Sequence, residues 1–132
     1  MKIGKQTIKL ESKPCIFSTS SIVGPKEMQG PLAQYFDMHI KDVFFDEKSF
    51  EKAESKMLET CINNLIVKSG TSQKDIDVIF SGDLLNQCIS SCFAIRDFDV
   101  PFLGLYGACS TFCEGLLLSS LLIEGNTANE VV

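Results

Sequence analysis

VPFLGLYGACSTFCEGLLLSSLLIE, residues 100–124, decides the fold. Val100 to Tyr106 is an apolar run of strand length, Gly107-Ala-Cys-Ser-Thr111 is a turn of small residues, and Ser110 to Glu124 reads as a helix with Gly125 as its C-cap. Strand, tight turn and helix in immediate succession form part of a right-handed βαβ unit. The helix is apolar nearly all round, through Phe112, Cys113, Leu116, Leu117, Leu118, Leu121, Leu122 and Ile123. Such a helix needs cover on every side, and one small sheet covers one face. A second layer is therefore expected, from a missing half of the domain or from a partner chain. Where neither is present, the helix predicts self-association, as in a homodimer.

Working outward, Asp77-Val-Ile-Phe-Ser-Gly82 reads as a short buried strand, and Leu84 to Arg96 returns to helical spacing. Its apolar rows are Leu84, Cys88, Cys92 and Leu85, Ile89, Phe93. From Phe50 to Lys68 apolar residues recur on one helical face, with Gly70 as the stop and Ser49 or Asp46 as the N-cap. Ser72-Gln-Lys-Asp75 is a capping-box turn. Gln6–Leu10 and Cys15–Thr19, separated by Pro14, predict a strand entering a sheet. Residues 21–46, punctuated by Gly24-Pro25 and Gly30-Pro31, form a long irregular connection. Asn129–Val132 begins a further strand. The chain thus reads as one incomplete α/β domain over residues 1–132, βαβαβαβ with a mostly parallel sheet.

Composition narrows the function. An apolar share of 45% excludes disordered and low-complexity classes. Twelve basic against seventeen acidic side chains give a net charge of −5, which argues against nucleic acid as a partner. Eleven of the cations are Lys, so Arg96 is a thin supply of bidentate anion clamps. The first ten residues carry the charge of a signal peptide without its apolar run, so no signal peptide is expected. No transmembrane segment is expected either, because the longest greasy stretch, Gly115–Ile123, is too short to span a bilayer. Six cysteines without a secretory signal read as free thiols.

The chemistry converges on Gly107-Ala-Cys-Ser-Thr111. A thiol at a helix N-terminus meets the positive end of the dipole and unpaired N–H groups, which favour thiolate and would also hold a carboxylate or an acyl oxyanion. The topology matches a nucleophile elbow with Cys109 in the serine position; the plainer reading is a small buried side chain at a tight turn. Gly82-Asp83-Leu-Leu-Asn86-Gln87 follows the preceding strand, at the sheet edge where α/β proteins bind ligands. Asp83, Asn86 and Gln87 are thus candidates to face the mouth that holds Cys109; alternatively Asp83 simply caps the next helix. A four-thiolate zinc site from Cys88, Cys92, Cys109 and Cys113 is geometrically conceivable, but the spacing and the apolar setting of the first pair weigh against it. His39, the sole histidine, is a weak candidate for a general base.

Gly4-Lys-Gln-Thr7, Gly24-Pro-Lys-Glu27, Gly30-Pro-Leu32, Gly82-Asp-Leu-Leu-Asn-Gln87, Val100-Pro-Phe-Leu103 and Gly107-Ala-Cys-Ser-Thr111 together resemble the stage V sporulation protein AD family of endospore-forming bacteria, a branch of the thiolase-like proteins. The resemblance implies the N-terminal half of a thiolase-like fold, in which the all-apolar helix lies at the centre between two sheets. It implies binding of dipicolinic acid and its movement, with Ca²⁺, into the developing spore. It also implies work beside other proteins of the same sporulation operon, on the cytoplasmic face or at the periphery of the forespore inner membrane. Pocket residues carried over by motif position are Asp83, Cys109, Ser110 and Thr111. No resident cofactor is implied beyond Ca²⁺ accompanying the ligand. The catalytic histidine and second cysteine of thiolases belong to the other half, so no enzymatic activity is expected of these residues alone. An acyl-transfer enzyme using Cys109 as nucleophile, or a structural partner that binds no ligand, are the alternatives.

Overall fold

The computed structural model describes residues 1–132 and is α/β, with three helices and short strand pairs, two of the three pairs parallel, as in part of a thiolase-like fold. The strands are β1 (Lys2–Ile3), β2 (Thr7–Ile8), β3 (Ile22–Val23), β4 (Met38–His39), β5 (Ile79–Ser81) and β6 (Phe102–Gly104). The helices are α1 (Phe50–Ser69), α2 (Ile89–Ile95) and α3 (Thr111–Glu124).

Local chemistry sets the helix ends. Ser49 is the N-cap of α1, its hydroxyl accepting from the Lys52 N–H at 3.3 Å, and Gly70 closes the helix in the left-handed conformation at φ 72°. The capping box at Ser72 and Asp75 is complete in both directions around a short 3₁₀ turn.

β5 is the centre of the sheet. On one side it runs parallel to β6, pairing Ile79 with Phe102 and Ser81 with Gly104. On the other, Val78 bridges Val131 in parallel, and the ladder continues with Phe80 N–H to Val132 C=O at 2.7 Å and Val132 N–H to Val78 C=O at 3.1 Å. Asp77 fixes this last segment by accepting from the amides of Asn129 and Glu130. Ile79, with Ile62, Ile76, Ala94 and Ile95, forms the buried cluster against which α1 and α2 pack.

Three expectations are corrected. Cys15–Thr19 is an exposed, unpaired segment rather than a strand, with Ile16 and Phe17 about two-thirds exposed. Both edges of β5 are taken, one by β6 and the other by residues 130–132. Gln6–Leu10 contributes only β2, which pairs with β1 in an antiparallel hairpin. The helix expected from Leu84 starts instead at Ile89, and its buried face is Ser90, Ser91, Ala94 and Ile95; Leu84, Leu85, Ile89 and Phe93 are exposed. Small side chains allow α2 to approach α1 closely, where the Ser55 hydroxyl donates to the Ser90 carbonyl at 3.0 Å.

α3 lies over β5, with Gly115 against Leu105 and Phe80. None of its fourteen residues is fully buried, and Phe112, Leu116 and Leu117 are exposed. Its last residue, Glu124, gathers the amides of Glu11 and Ser12 and the Ser12 hydroxyl at 2.6–3.0 Å, tying the N-terminal segment to the end of the helix. The Ser12 hydroxyl, then the Glu11 and Ser12 amides, hold the Glu124 carboxyl down at about 2. A carboxyl depressed in the folded state contributes its stability above the ordinary value of 4.5 and loses it as pH falls towards 2. The amide proton shifts of Glu11 and Ser12 are expected to titrate near pH 2 in NMR spectra; a midpoint near 4.5 would show the clasp open in solution.

Candidate functional site

Cys109 sits in a 3₁₀ turn, Ala108–Ser110, that leads directly into α3. The turn is braced from within. The Gly107 amide donates to Thr111 Oγ1 at 3.1 Å, the Ser110 hydroxyl donates to the Gly107 carbonyl at 2.6 Å, and Ala108 takes a left-handed φ of 48°. A β-carbon costs energy in that region, on the order of 1–3 kcal/mol, so the turn is held there by its surroundings. Cys109 is exposed.

The turn opens on an apolar groove of about 700 Å³, within the size range of small-molecule sites. Phe80, Leu105 and Val132 line it with Phe112 and Leu116 of α3 and Ile16 and Phe17 of the unpaired segment. Two buried oxygens in lining residues, Ser20 Oγ and Glu130 Oε2, have no hydrogen-bond partner. Of the residues expected at the site, Cys109 and Thr111 line the groove, as do Gly82 and Leu84 from the second motif, whereas Ser110 does not and its hydroxyl is spent on the Gly107 carbonyl.

Asp83 does something else. It is 5% exposed, and its Oδ2 accepts from both the amide and the hydroxyl of Ser91, each at 2.9 Å, while Oδ1 accepts from the Asn86 amide at 3.4 Å. Burial pushes its carboxyl up, but the Ser91 and Asn86 hydrogen bonds outweigh that and hold it below the ordinary value. Ser91 is the third residue of α2, so Asp83 satisfies a free helix N–H from six residues before the helix starts. Asp83 therefore braces the first turn of α2 without being its N-cap, a position held by Cys88, and Asp83, Asn86 and Gln87 stand outside the groove lining. Sequence reasoning missed Ser91 altogether, because a serine carries no signal in an apolar periodicity; its place eight residues after a strand-end Asp was the only trace.

The remaining expectations separate in space. No three His, Cys, Asp or Glu side chains stand close enough to hold a metal ion. His39 lies on β4 with its Nε2 2.7 Å from the Ala33 carbonyl, away from the groove. All six cysteines are free thiols.

A profile of the family described as Stage V sporulation protein AD (SpoVAD) matches residues 4–132. The chain belongs to that family. It is 36% identical over 129 residues to the stage V sporulation protein AD of Bacillus subtilis (strain 168), an alignment that covers 98% of this chain. It spans 38% of that relative's length. Family membership places the chain in sporulation, and no helix is long and apolar enough to cross a membrane.

The two motifs quoted from the sequence meet at Gly82. A β-carbon there would overlap the Leu105 carbonyl oxygen and the Thr111 methyl, and the carbonyl cannot move without breaking the end of the β5–β6 ladder. Gly82→Ala is expected to destabilise the chain by about 1–3 kcal/mol in urea unfolding. A loss below about 0.5 kcal/mol, the level of an ordinary surface substitution, would contradict this close approach.

Proposed function

We propose that the chain forms the ligand-facing wall of a sporulation protein that binds dipicolinic acid, taking one carboxylate at the Ala108–Ser110 turn and laying the flat ring along the apolar groove. The observation that carries this reading is the exposed turn, braced by Gly107, Ser110 and Thr111, opening directly onto that groove. Family membership supports the sporulation setting. The proposed partners are the other proteins of the same operon at the forespore membrane, with the open face of α3 as the side still to be covered.

Charge decides the form of the ligand. The free diacid is a dianion near neutral pH, whereas the chain carries −5 and its groove includes Glu130. The Ca²⁺ chelate is neutral, because the two carboxylates and the ring nitrogen hold the cation themselves. Asp83 is poorly placed to bridge to that cation, since both its oxygens are already engaged by Ser91 and Asn86. Ca²⁺ is therefore cargo that arrives on the ligand.

Calorimetric titration of dipicolinate into this chain, with and without Ca²⁺, tests the reading. Binding is expected to be tighter with Ca²⁺ and to disappear in a Cys109→Ala/Ser110→Ala variant, while Asp83→Asn weakens it equally in both conditions. Undiminished binding by the double variant would move the ligand elsewhere. No binding by the folded parent chain would overturn the proposal for these residues.

A further inference from the structure

The two turns that flank the groove are joined by one side-chain bond. Cys88, the residue before α2, donates its thiol proton to the Leu105 carbonyl at 3.0 Å. Leu105 ends the β5–β6 ladder, its amide bonded to the Ser81 carbonyl at 2.8 Å, and lies four residues before Cys109. Gly82 packs against the same carbonyl. On the other side, Asp83 grips Ser91 one turn into α2, and Ser81 Oγ lies 3.4 Å from Ser91 Oγ. Gln87 and Cys88 hold left-handed φ angles of 51° and 70° between those anchors.

We propose that Cys88 is a positioning residue: with the Asp83–Ser91 tie fixing its backbone, its thiol sets the spacing between the Gly82–Cys88 turn and the Leu105–Cys109 turn, and thereby the presentation of Cys109 to the groove. The chemistry of the bond suits the role. Only the protonated thiol donates, and burial, then the charges of Asp83 and Cys92, push the Cys88 thiol up and keep its proton on. A serine in its place keeps the donor; an alanine leaves the Leu105 carbonyl without it. Cys88 touches no ligand in this scheme and acts through the backbone that carries Cys109. The link to ligand binding rests on the function proposed above, whereas the link to Cys109 does not.

The test uses the ligand-free alkylation rate of Cys109 by iodoacetamide, read by peptide mass spectrometry, alongside dipicolinate affinity and the thermal midpoint. Cys88→Ala is expected to change the Cys109 rate and the affinity by about two- to tenfold, the range one such bond controls, and Cys88→Ser to restore both. Ser91→Ala, which loosens the Asp83 tie but keeps the amide bond, is expected to act in the same direction, and it carries the comparison should Cys88→Ala unfold. A lower thermal midpoint with the Cys109 rate unchanged would reduce Cys88 to a purely structural contact and overturn the inference. Absence of dipicolinate binding by the parent would sink the proposed function alone, because the labelling comparison needs no ligand.

Discussion

A carboxylate that is 5% exposed needs partners, and the way Asp83 finds them governs the shape of the site. Both donors on its Oδ2 come from Ser91. The chain leaving β5 must therefore turn back on itself before α2 can begin, and it does so through two left-handed residues rather than a first helical turn. That detour brings Cys88 against the Leu105 carbonyl, which Gly82 also approaches from the end of β5. The position of Cys109 follows, because only four residues separate it from Leu105. A buried charge of this kind is a poor source of net stability, and removing its partners leaves it uncompensated.

The rest of the molecule is short of cover. Thirteen of 132 residues are buried although 45% of the chain is hydrophobic, and α3 has no fully buried residue. The chain spans 38% of its Bacillus subtilis relative. The groove runs from α1, through Leu65 and Ile66, to α3, where the exposed Phe112 and Leu116 line it, so an element that covers those two side chains also bounds the groove.

Much of the fold was legible because it is local. Ser49, Gly70 and the Ser72–Asp75 box mark ends that depend on a few neighbouring dihedrals and hydrogen bonds, and the strand–turn–helix order around Cys109 is written in consecutive residues. What failed was non-local. Cys15–Thr19 has strand-like residues, but pairing needs a distant edge to meet it, and both edges of β5 are taken by β6 and by residues 130–132. The buried face of α2 differs from its apolar row because it is made largely of Ser90, Ser91 and Ala94, small side chains that packing selects for size rather than for hydrophobicity. At the site, the Cys109 turn was visible, whereas the true partner of Asp83 was not, since a hydrogen bond between a loop carboxylate and a helix serine leaves no period to detect.

The central claim is that the Cys109 turn holds the ligand, and protection of individual thiols tests it most directly. The six cysteines of the chain can be alkylated together and quantified separately, with dipicolinate and Ca²⁺ present or absent; Cys92, exposed and outside the groove lining, serves as the internal reference. With ligand at ten times its dissociation constant, Cys109 labelling is predicted to slow by about tenfold while Cys92 keeps its rate. Unchanged Cys109 labelling under conditions where the ligand is bound would place the site away from this turn and contradict the account.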